Sequence, residues 1–165
     1  VVGVLAAAEF SDPTSIRDAI VAGSITSSLL SPSTGIGYAT DAQAAISSVG
    51  GVSIPAGSVV ARLTLLGDVD LDRAVSFSDL LSLAQSYGLE SGVFWANGDF
   101  DHNGAIDFND LLALAQNYSG SLMQASVDGA SARFESDFAL VRALVPEPVT
   151  LSTLLLAGGL LLRRR

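Results

Sequence analysis

Two short stretches of the sequence carry oxygen-bearing side chains at the same spacing. Counted from the first aspartate of each stretch, Asp68 or Asp99, these side chains fall at positions 1, 3, 5, 9 and 12. Ca²⁺ takes about six to eight oxygen ligands, and a curling loop presents its ligands at these offsets. Each twelve-residue window holds four carboxylates, so eight of the seventeen in the chain lie in two loops. Such crowding is costly unless a cation neutralises it, and the spacing therefore predicts two calcium loops.

The predicted ligands include the backbone carbonyl at position 7 of each loop. In the first loop the ligands are Asp68, Asp70, Asp72, Ala74 and Asp79. In the second loop they are Asp99, Asp101, Asn103, Ala105, Asp107 and Asp110, with Asp107 expected to act through water. The alternative is an acidic turn that binds nothing, but two loops in one register argue against it. We expect His102, at position 4 of the second loop, to point outward and not to be a ligand.

The two loops differ at position 6, where the chain turns sharply. The second loop has Gly104 there, and the first has Arg73. Forcing an L-residue into the left-handed conformation costs about 1–2 kcal/mol, and Arg73 also brings a positive charge near the cation. We therefore expect two bound ions, with the stronger site in the second loop.

Each loop is followed by the same apolar pattern, so residues 67–120 form an internal repeat. Apolar residues recur at i, i+3, i+4 and i+7, which predicts an amphipathic helix after each loop. The two stripes are Leu80, Leu83, Ala84 and Tyr87, and Leu111, Leu114, Ala115 and Tyr118. Neither helix is long enough to be stable alone, so we expect them to pack antiparallel on each other. The shared core would also contain position 8 of each loop and two covering aromatic residues: Val75, Ile106, Phe94 and Trp95.

Residues 1–66 are low in charge and contain no catalytic constellation. Asp12 and Pro13 predict the start of a helix that ends before Gly23. Gly and Pro interrupt residues 24–58, where only short strands are expected. Alternation predicts a strand over 59–66. One face of that strand would carry Val59, Ala61, Leu63 and Leu65.

The composition excludes several classes of function. All eight basic residues are arginines, but the net charge is −9, and this excess of negative charge argues against binding to the phosphates of a nucleic acid. The chain has no cysteine, which excludes disulfides and thiolate metal sites. It begins without methionine or a charged leader, so we interpret its start as the edge of a fragment of an upstream domain. We expect no enzymatic activity from the chain itself.

The pattern Gly-Asp-x-Asp-x-Asp/Asn, then Asp-Leu-Leu-x-Leu-Ala-Gln-x-Tyr, occurs twice, with Trp95 and Gly98 between the copies. Over residues 67–120 it resembles a type I dockerin. The resemblance implies a duplicated loop–helix "F-hand", two halves in near-twofold symmetry, folding by calcium, and docking onto a cohesin domain. The family's recognition positions, 10 and 11 of each loop, are frequently a Ser-Thr pair. Here they are Phe77-Ser78 and Phe108-Asn109, whose phenylalanines would either anchor a different partner or pack inward.

The C-terminal segment has features of a sorting signal. Pro146-Glu147-Pro148 precedes a fourteen-residue apolar run, and three arginines end the chain. The run is short for a membrane helix, which needs about twenty residues. A C-terminal core helix is the alternative, although the arginines and a Gly-Gly pair disfavour it. The segment resembles the PEP-CTERM signal, which implies processing by exosortase, membrane anchoring through this segment, and secretion to the bacterial cell surface.

These features predict a mainly α repeat module with antiparallel helices, a mixed N-terminal fragment with short strands, and a C-terminal hydrophobic helix. The predicted divisions are an N-terminal fragment (1–66), the dockerin-like repeat pair (67–120), a spacer (121–145) and a sorting segment (146–165). We expect a calcium-binding module that mediates docking or assembly outside the cell, with a cohesin-like domain or another surface protein as partner. The alternatives are a calcium-stiffened spacer without a docking partner and an accessory module of an upstream carbohydrate-active enzyme.

Overall fold

The computed structural model describes residues 3–5, 12–44, 47–49, 51–119 and 127–145. The strands in this part of the chain are β1 (Gly3–Leu5), β2 (Thr34–Thr40), β3 (Ser48–Val49), β4 (Val52–Ser53) and β5 (Val59–Leu65). The helices are α1 (Pro13–Val21), α2 (Phe77–Ser86), α3 (Phe108–Asn117) and α4 (Ala132–Leu144), and a single 3₁₀ turn spans Trp95–Asn97.

Three strands form one antiparallel sheet in the order β1-β5-β2. The central strand, β5, pairs with β2 along its whole length, from Val59 opposite Thr40 to Leu65 opposite Thr34. β3 and β4 form a separate two-stranded hairpin. The predicted strand over 59–66 is confirmed, but side chains on both of its faces are buried, not only those on the predicted face. Arg62 and Thr64 are buried as well, because the repeat (residues 67–120) packs against the side of the sheet from which they project.

The glycines of β2 make room for the repeat. A Cβ added at Gly35 would lie 2.7 Å from Trp95 Cη2, and one added at Gly37 would lie 2.7 Å from both Trp95 Nε1 and Leu71 Cδ2. Trp95 is fully buried in this contact. Residues 24–58 were expected to hold only short strands because of their glycines, whereas β2 is seven residues long. Here the glycines mark a close approach of another element rather than a break in the strand.

The helices begin and end where local signals place them. Asp12 caps α1 by accepting the Thr14 N–H at 2.8 Å and the Ser15 N–H at 3.1 Å, and Gly23 follows with φ of 73°. The predicted stripes of α2 and α3 are confirmed by their buried side chains, except that Tyr118 is only half-buried. The buried residues are Leu80, Leu83, Ala84 and Tyr87 in the first half and Leu111, Leu114 and Ala115 in the second. Val75 and Ile106, from position 8 of the loops, are buried as predicted.

The fourth helix packs on the C-terminal side of the repeat. Phe134, Phe138 and Val141 of α4 are buried, and the Phe134 ring meets the Tyr87 ring edge-on at 5.4 Å. The Tyr87 hydroxyl donates to Asp137 Oδ2 at 2.7 Å. α2 and α3 touch each other, and α3 also contacts α4. The segment predicted to be a spacer therefore contributes to the core.

The expected fold class is wrong. The repeat is not a separate, mainly α unit, because its aromatic residues and loops share one core with the three-stranded sheet. A helix of ten residues is marginal in isolation, and the sheet covers the side of the repeat that carries Trp95. The described part of the chain is an α+β fold.

The expected C-terminal hydrophobic helix lies in residues 146–165, outside the described residues. Among the helices that the structure does describe, none is long and apolar enough to cross a membrane. The division of the chain into four segments stays a prediction.

Candidate metal centre

Each loop brings three aspartates together, from positions 1, 3 and 12. Within each cluster one carboxylate oxygen of each aspartate lies within 4.8 Å of the others. The first triad is Asp68, Asp70 and Asp79, and the second triad is Asp99, Asp101 and Asp110. The aspartates at positions 1 and 12 are buried, whereas position 3 is half-buried in the first loop and exposed in the second. Two aspartate triads could therefore hold a metal ion.

The position-12 carboxylate closes each loop through two backbone hydrogen bonds. Asp79 accepts the Val69 N–H at 2.8 Å and the Ser76 N–H at 2.8 Å. Asp110 accepts from the same positions of the second loop, 2 and 9, at 2.9 Å and 3.0 Å. Both aspartates lie in the first turn of their helix, where the positive end of the helix dipole favours a negative charge. The helices α2 and α3 thus fix one carboxylate of each triad.

The position-1 carboxylates differ in how many of their oxygens are satisfied. Asp68 accepts the Asp72 N–H at 3.1 Å, the Arg73 N–H at 3.0 Å and the Thr64 hydroxyl. Asp99 Oδ2 accepts the position-6 N–H at 3.1 Å, but among the described residues no donor makes a hydrogen bond of normal geometry to its buried Oδ1. An unpaired buried oxygen is costly, and a cation in the triad would satisfy it. The residues present therefore fit a metal ion.

Burial changes the protonation of the triads. It raises the pKa of Asp68 and of Asp99 to about 6 each, and the pKa of Asp110 to about 7. The charges of neighbouring aspartates raise these pKa values further, while backbone N–H donors lower them. Burial also raises the pKa of Asp70. The raised pKa values favour the protonated forms of these carboxyl groups, and a divalent cation would compete with those protons.

The other predicted ligands lie outside the two triads. Asp72 and Asn103, at position 5, are exposed, and each accepts the N–H of the residue at position 7: Ala74 at 2.7 Å and Ala105 at 2.8 Å. Asp107 caps α3 by accepting the N–H two residues further on at 2.8 Å. The role of these five residues as ligands stays a prediction.

Positions 4 and 6 of both loops adopt the left-handed backbone conformation. The φ angles are 64° at Leu71, 82° at Arg73, 61° at His102 and 88° at Gly104. The sequence predicted this conformation at position 6 but gave no sign of it at position 4. Leu71 is fully buried, and the His102 ring lies 5.8 Å from the Tyr38 ring and 5.7 Å from the Trp95 ring. The His102 ring therefore lies against the sheet, a contact that the sequence did not predict.

Backbone hydrogen bonds join each loop to the opposite half of the repeat. Ile106 accepts from Gly88 and donates to Leu89, both at 2.9 Å. In the other half, Val75 accepts the Ser119 N–H at 2.9 Å. Position 8 of each loop is therefore bound to the chain that leaves the other half's helix. This arrangement links the geometry of one loop to that of the other.

Three residues outside the repeat reach the loops without having been predicted from the sequence. Besides Thr64, they are Arg62, whose Nη1 donates to the Leu71 carbonyl at 2.7 Å, and Arg17, whose Nη2 donates to the His102 carbonyl at 3.2 Å. Arg17 is 85 residues from His102 along the chain. No local pattern marks any of the three, since only the folded sheet and α1 bring them to the loops.

The donors at the site define its chemical character. Every clustered ligand atom is a carboxylate oxygen, the chain has no cysteine, and the only histidine stacks on aromatic rings. Oxygen-only sites suit hard divalent cations. Comparison with protein-family models, with curated proteins and with solved structures finds no match to this chain.

Proposed function

We propose that the two triads bind Ca²⁺, one ion in each loop. The observation that carries the proposal is the buried Asp99 Oδ1, to which no donor among the described residues makes a hydrogen bond of normal geometry, in an all-oxygen cluster. Mg²⁺ demands near-ideal octahedral geometry and retains several waters, whereas Ca²⁺ accepts about six to eight oxygens from flexible loops. The side chains at position 5, the carbonyls at position 7 and water bridged by Asp107 would supply the remaining oxygens.

We expect the second loop to bind its ion more tightly. Asp99 retains an oxygen without a hydrogen bond, whereas both oxygens of Asp68 already accept hydrogen bonds. Position 6 favours the second loop for a separate reason. Gly104 adopts its left-handed conformation without strain, while Arg73 is strained at φ of 82° and positively charged.

In this proposal calcium acts by stabilising the fold. Without an ion, the carboxylates of each triad repel one another, and the raised pKa values of Asp68, Asp99 and Asp110 make protonation the alternative to that repulsion. An ion bound only by the folded loop removes both costs, so its binding free energy adds to the stability of the folded state. Because the repeat shares its core with the sheet, we expect removal of calcium to destabilise the sheet as well as the loops.

The cellular role that we propose is calcium-dependent docking by a secreted, surface-sorted bacterial protein. It is supported by the dockerin-like repeat and by the PEP-CTERM-like segment, which exosortase would process. Of the recognition positions, Phe77, Ser78 and Asn109 are exposed, while Phe108 is half-buried against the core. An exposed aromatic residue is suited to anchor a partner. We therefore place the docking surface at the start of α2, with a cohesin-like domain or another surface protein as partner.

A calcium-stiffened spacer without a docking partner is the second candidate. The observation that favours it is the packing of Phe108 against the core, which leaves the two halves with unequal recognition surfaces. In that case the ions would serve only to hold the sheet, the loops and α4 together.

Calorimetric titration of the metal-free full chain with CaCl₂ tests the calcium proposal. The expected result is two unequal sites, with Asp99→Ala removing the tighter one and Asp68→Ala removing the weaker one. Asp128→Ala is the matched control, because Asp128 is an exposed aspartate outside both loops, and both sites should remain. The calcium proposal is falsified if the wild-type chain binds no calcium at millimolar concentration.

Capture by an immobilised cohesin domain separates docking from the spacer. Capture of the chain in calcium, lost in chelator and lost in Phe77→Ala, would support docking. A chain that binds two calcium ions but is not captured would favour the spacer.

A further inference from the structure

The peptide bond that follows position 4 is held from both sides in the first loop. On its outer side, the Leu71 carbonyl accepts Arg62 Nη1 at 2.7 Å. On its inner side, the Asp72 N–H donates to Asp68 Oδ1 at 3.1 Å and to Asp70 Oδ1 at 3.2 Å. In a planar trans peptide the carbonyl and the N–H point in opposite directions. The arginine that holds the carbonyl therefore aims the N–H at two carboxylates of the triad.

The second loop repeats this arrangement with a different arginine. The His102 carbonyl accepts Arg17 Nη2 at 3.2 Å, and the Asn103 N–H points inward to Asp101 Oδ1 at 3.1 Å. The guanidinium also lies against position 6, since a Cβ added at Gly104 would come within 2.9 Å of Arg17 Nη2. Arg62 comes from β5 and Arg17 comes from α1, so two unrelated elements make the same contact.

The residue at position 4 needs such support. Leu71 and His102 adopt φ of 64° and 61°, a conformation that disfavours residues with a Cβ. Strained residues of this kind persist only where their surroundings hold them. Arg62 is itself buried, with 6% of its surface exposed, and among the described residues its Nε and Nη2 have no hydrogen-bond partner. The one hydrogen bond that its side chain makes to the described residues is to the loop.

We propose that Arg62 and Arg17 are positioning residues for the first and second ion sites, each orienting the peptide that directs an N–H group at the ligand carboxylates. This inference rests on the proposed binding of calcium. It makes the affinity of each loop depend on a different element outside the repeat, the first loop on β5 and the second on α1. By reciprocity, calcium in each loop stabilises the docking of that element.

Charge alone predicts the opposite effect. A guanidinium near a bound cation repels it, so removing the arginine would strengthen binding if long-range electrostatics dominated. If the arginine positions the peptide, removing it weakens binding, because the carbonyl loses a charge-assisted hydrogen bond and the strained residue loses its support. The sign of the change therefore distinguishes the two effects.

The test measures calcium affinity by calorimetry in full-length chains that retain one site each. In Asp99→Ala, which keeps the first loop, adding Arg62→Met should weaken binding about tenfold, while adding Arg17→Met should leave it unchanged. In Asp68→Ala, which keeps the second loop, the two arginine substitutions should exchange their effects. Arg62→Lys, which keeps a donor and the charge, should recover part of the affinity of the first loop.

Arg133→Met is the matched control, because it removes an arginine whose guanidinium lies over the Tyr87 ring rather than at a loop. Equal or tighter binding in both arginine variants would overturn the proposal, as would equal weakening of both loops by either substitution. If Arg62→Met does not fold, Arg17→Met in the Asp68→Ala chain decides the question by itself. A wild-type chain that binds no calcium would refute the proposed function. If the chain binds calcium and the arginine substitutions leave its affinity unchanged, only this inference is refuted.

Discussion

Replacing Arg73 by glycine should strengthen the first calcium site. Arg73 has φ of 82° and an exposed side chain, so the substitution relieves backbone strain without removing packed atoms. The strain is about 1–2 kcal/mol, and glycine offsets about 0.5–1 kcal/mol of that gain by making the unfolded chain more flexible. Taking the middle of each range, the net gain is about 0.75 kcal/mol, before the effect of removing a positive charge. If the loop folds around its ion, this corresponds to roughly two- to fivefold tighter binding.

Calorimetry on the Asp99→Ala chain, in which only the first loop can bind, measures this change directly. The backbone N–H at position 73 donates to Asp68 Oδ2 at 3.0 Å, and glycine retains that hydrogen bond. Arg73→Ala is the matched control, because it removes the same charge but keeps the Cβ and its strain. We expect Arg73→Gly to bind more tightly than Arg73→Ala. Equal affinities for the two variants would refute the strain argument and leave charge as the cause.

Three further predictions concern the fold and its surface. The raised pKa values of the buried aspartates, about 6 to 7, mean that the metal-free folded chain binds more protons than the unfolded chain between about pH 4 and 7. Its unfolding free energy should therefore fall as the pH rises through that window, and the calcium affinity should rise. Urea unfolding in the presence of a chelator measures the first effect. Greater stability at pH 7.5 than at pH 5 would contradict it. Gly37→Ala should destabilise the chain by about 1–3 kcal/mol through overpacking against Trp95 and Leu71. The fluorescence of the chain's single tryptophan should shift as well. An unchanged melting temperature would argue against the packing of Trp95 on β2. Phe77→Ala should leave the melting temperature unchanged and Phe108→Ala should lower it, because only Phe108 packs against the core; equal effects in differential scanning calorimetry would place the two rings in similar surroundings.

The parts of the structure that could be predicted from the sequence are those with a local cause. The cap at Asp12 is formed within one turn of chain. The stripes of α2 and α3 follow from the helical period, and the left-handed turn at Arg73 follows from its place in the loop. The triads also have a local cause, since positions 1, 3 and 12 converge within twelve residues once the loop curls and the helix begins.

The predictions that were wrong failed because of contacts between segments that are distant in the sequence. The glycines of β2 suggested a broken chain, because nothing nearby in sequence shows that Trp95 fills the space above Gly35 and Gly37. The contact of His102 with the sheet was missed for the same reason, since the Tyr38 ring that covers it comes from a strand more than sixty residues earlier. These contacts also overturned the mainly α fold class.

The sequence by itself determined that acidic oxygens recur at calcium-loop spacing, and that a short amphipathic helix follows each loop. Both are properties of contiguous residues, whose geometry is set by the backbone period and by local hydrogen bonds. Only the tertiary structure decided that a three-stranded sheet covers the repeat, that Asp99 Oδ1 is buried without a donor among the described residues, and that Arg17 and Arg62 hold the loop carbonyls. Those features arise where distant segments exclude water from one another, and no short window of residues contains both partners.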